Sequence, residues 1–203
     1  MSASLTGIWN MALSHTGGRA NISDNNEQSF EADQCRLFYP IALKEALSFF
    51  AWTFATSRER LAPLASRETF NWRFVYASPA SSLLVLSVGD ETAATWDATA
   101  PYELMSGSDG TSLLYTDVEN AVAFYVRGEV STALFSPSFV SALALLLASH
   151  LAGSLIKGQS SLGVKKAMYE MYMVAVRNAA AIDANQRSFR PDFAPSGIAA
   201  RDL

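Results

Sequence analysis

Three features of this 203-residue sequence predict an α+β fold that is mainly helical. From Glu27 to Ala62 large apolar residues recur at helical spacing. Between Thr69 and Arg127 the apolar residues instead alternate in short runs. From Ser136 helical spacing returns, runs to Gln186, and gives way to an aperiodic tail. The expected architecture is a helix bundle (an N-terminal helix, a long central helix and a C-terminal helical hairpin) with an inserted antiparallel β sandwich or barrel and an extended C-terminal arm. Residues 1–62 and 134–186 make the helical part, 63–133 the β insertion and 187–203 the arm.

Ser4–Ser14 reads as a short amphipathic helix. Leu5, Ile8, Trp9, Ala12 and Leu13 share a face, and Ser4 is suited to cap it. His15-Thr16-Gly17-Gly18 ends it as a turn; no Lys-Ser/Thr follows to make the glycines a phosphate loop. The stretch Glu27–Ala62 is then one long helix, or two meeting at Pro40, behind the turn cluster Asp24-Asn25-Asn26. Its apolar residues fall into two stripes on roughly opposite sides: Phe30, Leu37, Phe38 and Ile41, and Leu43, Leu47, Phe50 and Phe54. A helix with two apolar stripes is covered twice, either as a central core helix of one domain or with one stripe for its own core and one for a neighbouring subunit, and the pattern alone does not choose.

Strands are expected at Thr69–Tyr76, Ser82–Val88, Tyr102–Ser108, Thr111–Thr116 and Ala121–Arg127, with Asp109-Gly110 as a hairpin turn. Trp72, Phe74 and Tyr76 alternate onto one face, as in a sheet with one buried side. Ser136-Pro137 is a helix start. The apolar run Phe139–Ile156 falls just short of a membrane span and carries His150, so it reads as a core helix in which His150 finds a hydrogen-bond partner. A second helix, Leu162–Gln186, turns its core face through Met168, Tyr169, Tyr172, Val176 and Ala180, antiparallel to the first.

The net charge of −4 is unevenly spread. Residues 1–89 balance seven acids with seven bases. Residues 90–129 hold eight acids (Asp90, Glu91, Asp97, Glu103, Asp109, Asp117, Glu119, Glu129) against Arg127 alone, and residues 150–203 carry seven bases and four acids. An acidic middle argues against a sequence-specific reader of nucleic acid and reads as a solvated acidic face. One cysteine, Cys35, excludes an internal disulfide framework and reads as a buried apolar side chain. Two histidines, His15 and His150, and one cysteine give no zinc spacing, and the acids match no calcium loop. Ser14-His15 and Ser149-His150 are sequence neighbours, not a triad. No catalytic, cofactor-binding or metal-binding residue is expected. No basic segment followed by an apolar run opens the sequence, so folding in a cytoplasm is expected.

Several segments, in order, resemble the tail tubular protein A family of short-tailed bacteriophages. In the N-terminal half they are Ala12-Leu13, Ile22, Glu27, Tyr39, Trp52-Thr53-Phe54-Ala55, Arg58 and Leu61-Ala62. In the β region they are Trp72-Arg73-Phe74-Val75-Tyr76 with Pro79 and Leu83, and Thr116-Asp117 with Ala123-Phe124-Tyr125-Val126. Toward the C-terminus Phe135-Ser136-Pro137-Ser138-Phe139, Ala142-Leu143, Leu151-Ala152, Tyr169-Glu170, Ala175 and Ala179 are similar to the family's helical hairpin. The chain departs from the pattern at Ala80-Ser81-Ser82, where the family places an acid after the proline.

The resemblance implies a non-enzymatic virion protein of the tail or neck, assembled in the host cytoplasm. It would be a head-to-tail adaptor, a ring of twelve copies joining the portal protein to the tail nozzle protein, with DNA as a passenger in the channel and no membrane partner. Leu43, Leu47, Phe50 and Phe54 would meet the neighbouring subunit. The arm, through Arg187, Phe189, Arg190, Phe193 and Ile198, would dock on the portal. Two other classes stay open: a monomeric module that binds a peptide or host protein on its β face, and an enzyme, which would need converging polar groups in a pocket for which the sequence offers few candidates.

Overall fold

The computed structural model describes residues 4–18, 21–65, 67–91, 100–156, 158 and 160–186. The fold is mixed α+β, with four α-helices and two small antiparallel sheets, 45% helical and 20% strand. Helix α1 spans Leu5–His15, α2 Phe30–Ser48, α3 Pro137–Leu155 and α4 Ser160–Ala184. The strands are β1 (Thr56–Arg60), β2 (Phe74–Ala77), β3 (Ser82–Gly89), β4 (Tyr102–Ser106), β5 (Ser112–Thr116) and β6 (Val122–Arg127).

Helix starts follow local chemistry. Ser4 accepts from the Gly7 amide at 3.0 Å and Ser136 accepts from the Phe139 amide at 3.3 Å, each pairing an amide that the first helical turn leaves without a carbonyl. Asn10 holds the following loop with both ends of its amide: Nδ2 donates to the Ile22 carbonyl and Oδ1 accepts from the Ile22 amide, both at 2.8 Å. That pair carries Ile22 into the core.

Helix α3 is the centre of the helical unit. Phe139, Val140 and every residue from Ala142 to Ser149 are buried, and so are Leu151 and Ala152. It is long and apolar enough to cross a membrane, yet 67% of its apolar window is buried inside this fold. Helices α1, α2 and α4 cover it, and Val126 of β6 joins the same core. Ser149, the buried polar residue on it, returns its hydroxyl to the Leu146 carbonyl at 2.7 Å.

The expected long helix ends early. Pro40 sits within α2 without ending it, but the helix stops at Ser48. The Trp52 indole folds back and donates to the Ala46 carbonyl at 2.9 Å, satisfying one acceptor of the last turn. Trp52 then packs its ring on Phe139 (4.9 Å between centroids), and Phe54 packs on Phe139 and Phe135 (5.0 and 5.5 Å). Beyond this turn Thr56–Arg60 is a strand, not helix, because β6 supplies its hydrogen bonds, Thr56 opposite Val126 and Arg60 opposite Val122. The β unit therefore begins ahead of the expected boundary at residue 63.

The sheets run β1-β6-β3 and β2-β5-β4. Leu61, Tyr76 and Leu114 pack against Val85, Val88, Ala123 and Tyr125, so both sheets contribute to one apolar cluster. Strand β6 is covered on both faces, by this cluster through Ala123 and Tyr125 and by the helices through Val126. Trp72 lies in the turn before β2, outside the alternation of Phe74 and Tyr76. It covers the opposite face with Val75, Leu113 and Tyr115, so the sheet is buried on two sides rather than one. The hairpin between β4 and β5 turns at Ser108-Asp109-Gly110 as expected, with Gly110 at φ 79°. Gly107 allows it: a Cβ there would stand 2.7 Å from Asp109 Oδ1.

One buried carboxylate ties the end of the chain's helical part to its middle. Asp183 of α4, 2% exposed, accepts from the Thr53 amide (2.9 Å, Oδ2) and the Thr53 hydroxyl (2.7 Å, Oδ1). Hydrogen bonds to a buried charged group contribute about 1.5–3 kcal/mol. Asp183→Ala should therefore lower unfolding free energy by about 2 kcal/mol or more in urea denaturation. In a double-mutant cycle only the share carried by the Thr53 hydroxyl should disappear when Thr53 is already Ala, because the residue 53 amide still donates to Asp183.

Candidate functional site

The titratable groups that sequence singles out are committed to the fold. Cys35 is fully buried, and burial, with the nearby Glu31 adding, pushes its thiol up to about 12. Such a thiol is not ionised at neutral pH and is no nucleophile. Burial likewise pushes the Tyr39 phenol up to about 12. The Tyr172 phenol is raised first by burial and then by the charge of Glu45. His150 is half-buried between α2 and α3, its Nε2 3.3 Å from Glu45 Oε2 and its ring parallel to Phe38 at 6.1 Å. It has the expected partner, with more exposure than a core histidine.

Four acids of the middle region each have a partner of their own. Glu103 accepts from the Trp72 indole at 3.1 Å, Asp117 from the Arg73 amide at 2.9 Å, Glu91 pairs with Arg60, and Asp109 with Arg67. Asp97 lies outside the described residues. Among the described residues no group of three or more His, Cys, Asp or Glu is gathered as a metal site. Two surface cavities stand out. One, of about 460 Å³, lies on the outer face of β4 and β5 between Arg67, Phe70, Met105, Ser106 and Tyr115. Phe70 on its rim is 66% exposed, holds φ 51°, which costs a bulky side chain strain, and sits 5.9 Å from the Tyr115 ring.

The other cavity, of about 570 Å³, is an apolar groove between α3 and α4 lined by Leu145, Ala167, Met171, Val174 and Ala175. Met171 and Val174 are exposed there, as are Leu162, Tyr169 and Ile182 elsewhere on α4. Tyr169, expected in the core face, is thus outside it. Tyr172, Val176, Ala179 and Ala180 make that face, with Met168 packed at its edge.

The stripe expected to meet a neighbour faces inward, and Phe38 of the other stripe packs on the same core. Leu47 is fully buried in the chain's own core, and Leu43, Phe50 and Phe54 pack against that core, so the expected subunit stripe is spent within one chain. The outward stripe is Phe30, Leu37 and Ile41, 57%, 58% and 52% exposed. Small residues carried the missed signal. Ala32, Cys35, Ala42 and Ala46 line the buried side of α2, where a neighbouring helix comes close. The expected docking residues Arg187, Phe189, Arg190, Phe193 and Ile198 lie outside the described residues. Comparison with protein families finds no family that matches the chain, and comparison with curated proteins finds no match.

Hydrogen bonds from the Thr111 hydroxyl and amide, then from Arg67, hold the Asp109 carboxyl down to about 2. A carboxyl depressed on folding favours the native hairpin above the ordinary aspartate range, and that contribution fades as pH falls through about 2. NMR titration of the side-chain carboxyl should find the Asp109 midpoint near 2 and, in Thr111→Val, a midpoint raised toward the ordinary value.

Proposed function

We propose that this chain is a head-to-tail adaptor subunit of a short-tailed bacteriophage, one of a ring that joins the portal to the tail nozzle and lets DNA pass. The observation that carries the reading is a helical unit with a complete core that still exposes two long apolar surfaces, the α2 row and the α3–α4 groove. Large apolar rows on an otherwise finished domain favour a protein partner. The order of elements, helix, long helix, β unit and helical hairpin, agrees with the resemblance. In this reading the four helices are the ring-forming bundle and the two sheets a sandwich facing the next tail protein. The arm from Arg187 reaches the portal, and twelve copies follow the portal's symmetry.

The cavity beside the strained Phe70 favours a second reading, a monomeric module that binds a peptide or host protein on its β face. Light scattering on a sizing column, with the chain alone and then mixed with a portal ring, separates the two. The adaptor reading expects a ring, alone or on the portal. A monomer that ignores the portal overturns it and leaves the β face as the place to look.

A further inference from the structure

The helical unit's two apolar surfaces lie on different flanks. Leu145, in the groove, is about 140° around α3 from His150, the side chain that reaches Glu45 of α2. The groove thus opens away from α2, whose own row faces outward. Two unlike surfaces on different flanks can pair only head to tail between copies, not about a two-fold axis.

We propose that the α2 row of one copy docks antiparallel in the α3–α4 groove of the next. The shapes suit each other. Phe30, Leu37 and Ile41 fall within about 40° of arc and project as large knobs. The small side chains Ala167 and Ala175 leave the groove open to receive them. Phe30 to Ile41 and Ala167 to Asn178 each cover about 16 Å of helix, so the two surfaces match in length.

Charge sets the direction. Asp33 and Lys44 flank the α2 row on one edge, and Glu170 and Arg177 flank the groove on one edge, all four exposed. Antiparallel docking brings these edges together, with Asp33 toward Arg177 and Lys44 toward Glu170. Along the axes Asp33 and Lys44 stand about 16 Å apart and Glu170 and Arg177 about 10 Å, a difference within reach of the long Lys and Arg side chains. Their present partners are on their own helices, Arg36 for Asp33 and Lys166 for Glu170, and stay compatible with the added ones. Parallel docking would instead turn Gln34 and Glu45 toward the groove's charged edge, and Glu45 already faces His150. This docking rests on the adaptor reading for its biological use, while the contact itself needs no portal.

Two experiments test it. Lys44→Cys and Glu170→Cys are made in separate chains, one carrying a size tag, then mixed and treated with a bismaleimide that spans more than a disulfide can, with Cys35 buried out of reach. The mixed cross-link should be the dominant product. Homodimers in comparable amount, or no cross-link, overturn the proposal. Leu37→Glu and Val174→Glu should each melt like the parent chain and lose self-association alone, then form one-to-one dimers when mixed, because each keeps one intact face. Variants that assemble alone, or that ignore each other when mixed, also overturn it. Rings on a portal without such pairing would spare the adaptor function and reject this contact. Pairing without portal binding would do the reverse.

Discussion

A helix with no polar face has to be covered on every side, and α3 is such a helix. Its buried side chains run almost without interruption from Phe139 to Ala152, so α1, α2 and α4 close on it, and Val126 of β6 joins the same core. Each fully buried leucine is worth about 1.5–3 kcal/mol relative to solvent, which makes this surround the largest apolar contribution in the chain. The turn after α2 exists to complete it. Trp52 and Phe54 leave the helix to pack on Phe139, and the indole closes the open end of α2 in the same movement. Because that turn consumes residues 49–55, β1 begins beside β6, and Arg127 fastens the junction by donating from Nη2 to the Phe54 carbonyl at 2.9 Å.

What local chemistry decides was legible in the sequence. Serine caps at Ser4 and Ser136, the proline after the second, the Asp109-Gly110 turn and the places of β3, β5 and β6 all stand where expected. What distant partners decide was not. Thr56–Arg60 (TSRER) has no strand pattern of its own and becomes one only because β6 presents a ladder to it. Asp183 looks like any acid near a helix end until Thr53, far away in sequence, supplies both of its hydrogen bonds. The two stripes of α2 were both visible, but periodicity reports the angle between faces and not which face meets α3. Small residues on one side hold that information, since only Ala32, Ala42 and Ala46 let the backbones approach.

The same reasoning explains why no reactive centre was legible. Cys35 and Tyr172 are enclosed, His150 is occupied with Glu45 and Phe38, and four acids of the middle region each have a partner of their own. Among the described residues the exposed apolar area lies in the outward rows of α2 and α4 and on the rim of the cavity beside Phe70.

The assignment of inner and outer stripes on α2 underlies all of this, and thermal melts followed by circular dichroism test it with two substitutions of the same chemistry. Leu47→Asp places a carboxylate inside the core around α3, and the chain should be unfolded or melt far below the parent. Leu37→Asp places the same group on the outward row, and the melt should stay within a few degrees of the parent, as surface changes do. Equal losses at both positions, or a larger loss at Leu37, would contradict the account and put the outward row inside the core.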